Sequence, residues 1–157
     1  MASMKEDNDP NNLNPQALAS QELAAQASVQ MHSTDYCAHM MGIEVAAVSS
    51  GYAELNMTVR PEFANGYGVC QGGLIATLAD TAFAHACNAA NKKTVAQSFS
   101  IDFVRPANIG DELCAIAKEQ SRGKLTGLYQ VKVSNQLDKL VAILNGNSFE
   151  LGGPVVE

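Results

Sequence analysis

The chain of 157 residues carries 16 acidic and 10 basic side chains, and its net charge of −6 at pH 7 excludes general nucleic-acid binding. An apolar fraction of 46% suits one folded domain with a real core, and no apolar run approaches the length of a membrane span. Cys37, Cys70, Cys87 and Cys114 are scattered without a C-x-x-C pair, which supports neither a metal site nor a disulfide framework and points to a reducing cytoplasm.

Residues 1–14 are rich in Asn, Asp and Pro and lack the basic start and apolar centre of a secretion signal. They read as a loosely attached leader. From Pro15 to about Met31 the sequence is Ala- and Gln-rich, with Leu18, Leu23, Ala24 and Val29 among its apolar positions, and predicts a helix. Residues 1–30 therefore form a flexible leader with an N-terminal helix, and residues 31–157 the main domain. A short helical turn is expected over Asp35–Met41, ending at Gly42.

The period then changes from helical to alternating. Between Tyr52 and Arg60, Ala53, Leu55, Met57 and Val59 point one way, and Glu54, Asn56, Thr58 and Arg60 the other. That alternation is the mark of a half-buried strand, and Ile43–Val48 reads as its hairpin partner through Ser49-Ser50-Gly51. A loop over residues 61–71 leads into the longest helical pattern, Gly72 to about Ala90, with Leu74, Ile75, Leu78, Ala82 and Phe83 as its apolar stripe. Four strand-like segments follow: Thr94–Val104, Glu112–Gln120, Thr126–Asn135 and Lys139–Phe149. Turns at Asn108-Ile109-Gly110, at Ser121 to Lys124 and at Gln136 to Asp138 separate the last three and set them off from the first. The expected architecture is α+β: one six-stranded antiparallel sheet wrapped around a single long helix, with an extra helix before it.

The stretch from Asn65 to Asp80, N-G-Y-G-V-C-Q-G-G-L-I-A-T-L-A-D, carries the chemistry. Gly72 opens the long helix, so its N–H lacks an intrahelical acceptor and faces outward as an anion or oxyanion donor. Asp80 lies on a helix of small and apolar residues, and a carboxylate is costly there unless exposed, paired or functional. Helical spacing gives it a face with Gly73, Ala76, Thr77, Phe83, Ala84 and Cys87, mostly small residues that let a ligand or another backbone come close. Asn65 and Gln71 flank the loop and can donate through their side-chain amides, although Asn65-Gly66 is also good turn chemistry. None of His32, His39 and His85 forms an obvious triad, and His85 turns away from the Asp80 face. Arg105-Pro106 closes a strand and Arg122-Gly123-Lys124 makes a turn. Either could hold a phosphate, and either could be an ordinary surface turn.

Gly72 and Asp80 are separated by about 12 Å along the helix axis, too far to meet one reacting carbon. Their cooperation needs two antiparallel copies, with the helix start of one beside the middle of the other. A two-fold dimer thereby becomes part of the expected mechanism.

The pattern N-x-x-x-x-x-[H/Q]-G-G-x-x-x-x-L-A-D, the T-A-F-A-x-A-C-N run and I-D-F-x-R-P together resemble the hotdog-fold thioesterases of the phenylacetic-acid-degradation (PaaI) family. The likeness runs from roughly Tyr36 to Gly152 and includes T-G-L-Y-Q-V around Tyr129 and the closing K-L-V-A-I-L-N-G. It implies a hotdog fold assembled as dimers that often pair into tetramers, and hydrolysis of acyl-CoA, phenylacetyl-type thioesters among them, at the dimer interface. Asp80 would be the general base or nucleophile and Gly72 the donor to the thioester carbonyl. Asn65 would orient nucleophile or water, with Gln71 where the family usually carries His. Gly73, Thr77, Arg105, Pro106 and the Arg122-Gly123-Lys124 turn would contact substrate and CoA. The resemblance calls for no cofactor, because CoA belongs to the substrate, and for no metal, nucleic acid or membrane. A non-catalytic acyl-CoA-binding protein is the alternative, and a hotdog dehydratase or hydratase a further one, though it would want an Asp–His pair.

Overall fold

The computed structural model describes residues 14–157, so the expected leader lies outside the described residues except for Asn14. Asn14 caps the first helix, α1 (Pro15–Ser33): its side chain accepts a hydrogen bond from the Gln16 N–H at 3.0 Å, and Pro15 takes the first helical position. A second helix, α2 (Tyr36–Met41), begins on Asp35, which accepts from the Ala38 N–H, and stops at Gly42 with φ +68°. Only glycine adopts that left-handed cap without steric cost.

β1 (Glu44–Ser49) and β2 (Tyr52–Thr58) form the expected hairpin, with Ala53, Leu55, Met57 and Val59 all buried. A short 3-10 turn at Pro61–Phe63 and the loop after it deliver the chain to α3 (Gly72–Asn88). This helix ends slightly before the expected Ala90. Asn88 turns its side chain onto the next strand instead, donating to the Thr94 carbonyl at 2.8 Å and accepting from the Thr94 N–H at 2.9 Å. The remaining strands are β3 (Thr94–Phe103), β4 (Glu112–Arg122), β5 (Thr126–Ser134) and β6 (Leu140–Glu150).

The turn after β4 is tighter than the sequence suggests. A register shift between Glu119 and Ser121 keeps the strand paired through Arg122, opposite Gly127, so Arg122 belongs to the strand. The turn itself closes by the Gly123 N–H donating to the Thr126 carbonyl at 2.7 Å.

All six strands pair antiparallel in the order β1-β2-β4-β5-β6-β3. Because α3 connects β2, near one end of the sheet, to β3 at the other, it must cross the sheet, and it touches every strand. Leu78, Ala82 and Phe83 are buried on its inner side, and Leu55, Leu113, Val131 and Leu144 meet them from the strands. Burying a ring such as Phe83 contributes about 1.5–3 kcal/mol. Gly146 makes room for it: a Cβ there would lie 2.7 Å from Phe83 Cε1. Phe83 and Tyr129 then pack with ring centroids 5.2 Å apart.

α1 lies against α3 and β1, burying only Ala24, Ala27 and Ser28. β3, at the far end of the sheet, is exposed along most of its length, including Val95 and Phe99. No described helix is long and apolar enough to cross a membrane.

Candidate active site

The loop from Asn65 to Cys70 is built by Asn65. Its side-chain oxygen accepts from the Tyr67 N–H at 2.9 Å and the Val69 N–H at 3.4 Å, and its own N–H donates to the Val69 carbonyl at 2.7 Å. Asn65 therefore serves the turn, and its amide NH2 remains available, since no described group accepts from it. Gly68, at φ +77°, completes the reversal. Gln71 follows as the residue before the helix; its N–H donates to the Phe63 carbonyl at 2.8 Å, while its exposed side chain makes no capping bond.

The helix start is left open. Among the described residues, the N–H groups of Gly72 and Gly73 donate to no acceptor, as the first turn of any helix requires unless a side chain intervenes. Gly73 stands in open space, and Thr77 turns its hydroxyl back to the Gly73 carbonyl at 2.9 Å.

Gly72 is different, because a Cβ there would lie 3.1 Å from Phe103 Cζ and 3.4 Å from Phe103 Cε1 and Cε2. The end of β3 thus brings an aromatic ring tip against the first residue of α3. A cleft of about 280 Å3 opens at that contact, lined by Val69, Cys70, Gly72, Ile75, Phe103, Val104, Arg105 and Pro106. Arg105 is exposed at its rim, with Nη1 donating to the Leu140 carbonyl at 2.6 Å. The sequence reading placed Gly72 and Arg105-Pro106 separately, and the fold brings them together. It missed Phe103, whose only signal was its place inside I-D-F-V-R-P.

Asp80 sits partly buried on the middle of α3, and no described group hydrogen-bonds its carboxylate. Burial alone pushes its pKa up from the ordinary aspartate value. Its supposed face is narrower than helical spacing suggests. Phe83 and Cys87 are completely buried beneath the sheet, while Gly73, Ala76, Thr77 and Ala84 stay accessible. Successive positions fan out around the helix, and the sheet claims one flank of that fan.

Arg122 is engaged within the protein. Its Nε lies 3.0 Å from Glu119 Oε2, and one Nη2 donates to the Tyr129 hydroxyl at 3.2 Å and to the Cys87 carbonyl at 3.4 Å. The Tyr129 hydroxyl in turn donates to Glu119 at 2.6 Å. Gly123 and Lys124 remain exposed on the turn.

The three histidines gather elsewhere, at the seam between α1 and α3. Ser28 Oγ and His85 Nδ1 lie 2.7 Å apart, the His32 ring stands 4.8 Å from that of His39 and 6.2 Å from that of His85, and His39 Nε2–H donates to the His32 carbonyl. No Asp80–His pair forms. Among the described residues no group of three His, Cys, Asp or Glu side chains could hold a metal ion, and all four cysteines are free thiols.

Residues 67–142 match the family described as the thioesterase superfamily. The acyl-coenzyme A thioesterase PaaI of Escherichia coli K12 is 42% identical over 125 residues, covering 80% of this chain and 89% of the relative. The solved structure of the E. coli PaaI protein, from the phenylacetic acid degradation operon, superposes with a TM-score of 0.84 at 40% identity, over 85% of this chain and 97% of that one. A Streptococcus mutans protein solved with bound acetyl CoA superposes at a TM-score of 0.69 and 25% identity, over 71% of this chain and 90% of its own.

Proposed function

This chain belongs to the thioesterase superfamily, and from that premise we propose that it is an acyl-CoA thioesterase whose site is completed by a second copy of itself. One observation carries the reading: a helix start with free amides, beside a cleft, on the same helix as a partly buried carboxylate without a partner. Hydrolysis of a thioester needs a donor for the carbonyl oxygen and a base for water, and these two groups have those chemistries.

In the reaction, the Gly72 N–H of one subunit polarises the thioester carbonyl, while Asp80 of the other takes a proton from water as its oxygen adds to the carbonyl carbon. The tetrahedral oxyanion rests on the Gly72 amide. Its collapse breaks the C–S bond, and the proton held by Asp80 goes to the departing sulfur, giving free acid and CoA thiol. In the nucleophilic variant Asp80 itself attacks, CoA leaves, and water cleaves the resulting anhydride. Single turnover in ¹⁸O-water puts label on the Asp80 side chain only by the second route, when water opens the anhydride at the Asp80 carbonyl, and label found there establishes that route. Asn65 and Gln71 orient water and substrate from the Gly72 side. A raised pKa suits Asp80 to accepting a proton.

Gly73, Thr77, Arg105 and Pro106 bind substrate and CoA in this reading, with Gly123 and Lys124 offering the second phosphate contact and Arg122 bracing that turn from beneath. The E. coli relative, a protein of the phenylacetic acid degradation operon, supports a phenylacetyl-type acyl group. The exposed end strand β3 supports pairing of two copies edge to edge, and two such dimers can assemble into a tetramer. The carboxylate and water supply the chemistry, so the mechanism requires no cofactor. Four free thiols suit a cytoplasmic setting.

Thiol release from phenylacetyl-CoA, benzoyl-CoA and straight-chain acyl-CoAs tests the activity. Asp80→Ala should remove about 100- to 10,000-fold of it. Mixing inactive Asp80→Ala subunits with inactive Gly72→Val subunits should restore turnover, since one of the two sites in a mixed dimer is whole. Full activity in Asp80→Ala, or no recovery on mixing, would sink the mechanism.

A further inference from the structure

The cleft beside Gly72 has a chemistry of its own. Its backbone donors are nearly all occupied: the Cys70 N–H by the Ala107 carbonyl at 2.8 Å, the Val104 and Arg105 N–H groups by the Val141 carbonyl at 2.8 and 3.2 Å, and the Val69 N–H by Asn65. The side chains add little. The Cys70 thiol points to the Gln71 carbonyl, and Arg105 Nη1 holds the Leu140 carbonyl. What remains within the cleft is one free backbone amide, that of Gly72, at the edge of walls made by Val69, Ile75, Val104 and Phe103, while the unengaged guanidinium N–H groups of Arg105 are exposed at the rim.

An acyl-CoA thioester has two arms leaving its carbonyl. The CoA arm carries amides that need hydrogen-bond partners, and burying them without partners is costly. The acyl arm of an apolar substrate needs none. A cleft with one donor for the carbonyl and apolar walls beyond it fits the acyl arm.

Phe103 sharpens the assignment. Phe103 is 51% exposed although it closes a strand and its ring tip touches the helix start, so apolar surface lines the cleft uncovered. Resting on the thioesterase reading above, we propose that this cleft is the acyl pocket and that Phe103 is its specificity residue, the wall against which the acyl group packs and which limits its length. An aryl acyl group gains aromatic packing there, a short acyl group touches little, and a long chain collides with the ring.

The test compares wild type with Phe103→Leu, Phe103→Ala and Phe103→Tyr on phenylacetyl-CoA, acetyl-CoA and decanoyl-CoA. Binding of CoA and of the non-hydrolysable thioether S-(2-phenylethyl)-CoA is measured by calorimetry alongside. Phe103→Leu should lower kcat/KM for phenylacetyl-CoA by up to about tenfold more than kcat/KM for acetyl-CoA, and lower the thioether's advantage over CoA by a similar factor. Phe103→Ala should shift preference toward decanoyl-CoA, and Phe103→Tyr, which keeps the ring, should behave as wild type. An equal loss for all three substrates together with weaker CoA binding would put the CoA arm in the cleft and overturn the assignment. A Phe103 variant that falls apart into monomers would make the ring an interface residue and overturn it too. If wild type hydrolyses nothing, the thioesterase reading fails by itself, and the calorimetry still decides which arm Phe103 touches.

Discussion

The Ser28 hydroxyl and His85 Nδ1 lie 2.7 Å apart, tying the N-terminal helix α1 to the buried side of α3. Burial and the neighbouring His32 hold the His85 pKa down at about 4, with Asp35 opposing them weakly. An unfolded His takes its proton near pH 6.5, before the folded one does. The unfolded state therefore binds more protons between those values, and stability falls as pH drops from about 6.5 toward 4. Urea titrations should show this slope reduced in His85→Leu relative to wild type. Ser28→Ala should cost about 1–3 kcal/mol at neutral pH, because it strips a buried ring nitrogen of its partner.

Asp80 runs the other way. Burial raises its pKa, so the folded state holds the proton more tightly than the unfolded chain, and stability is lost as pH rises through that interval. At neutral pH the charge is a burden on the fold. Asp80→Asn should melt at a higher temperature than wild type while losing turnover. The acid limb of kcat/KM should likewise lie above the ordinary aspartate range near pH 3.9. A thermal melt and a pH–rate profile on the same preparation check both.

Gly72→Ala separates stability from activity. The backbone there is not in the left-handed region, and alanine is the better helix former by about 1 kcal/mol within a helix, so folding should not suffer. The new methyl lies 3.1 Å from Phe103 Cζ, and a half-exposed ring yields by a few tenths of an ångström. Steady-state kinetics should show aryl substrates losing more kcat/KM than acetyl-CoA, at unchanged melting temperature.

Arg122 at the end of β4 and Lys124 in the turn after it should answer differently. Arg122→Ala keeps the hydrogen bond from the Tyr129 hydroxyl to Glu119 but removes their shared, partly exposed cation, and should destabilise the fold by about 0.5–1 kcal/mol. Lys124→Ala should leave stability alone and raise KM for acyl-CoA. That rise should vanish with an acyl-pantetheine substrate, which lacks the phosphates; denaturant melts and paired KM values make the comparison.

The parts of this fold governed by local pattern were legible in the sequence. Alternation along Ala53, Leu55, Met57 and Val59 marked a strand that is buried on that face, and Gly42 marked a helix stop it does make. The Gly72 helix start and the position of Asp80 midway along α3 were legible too. What escaped depends on contacts between distant segments. Phe103 reaches Gly72 only because β3 ends the sheet beside the start of α3, and nothing within five residues of Phe103 encodes that. Arg122 read as a turn residue because the bulge between Glu119 and Ser121, which no periodicity predicts, carries β4 on through it and back to Glu119. His32, His39 and His85 meet because α1 folds back onto α3, a matter of docking.

The two margins of the sheet are treated unequally. β1 has α1 alongside, and the Gln21 amide donates to the Val48 carbonyl at 2.7 Å, whereas β3 lies bare. Subunits able to join at both margins would add end to end and grow as filaments. If two copies join along β3 as proposed, the bridged β1 margin offers no second edge, and the joined sheet ends at a pair whose faces alone are left for larger assembly.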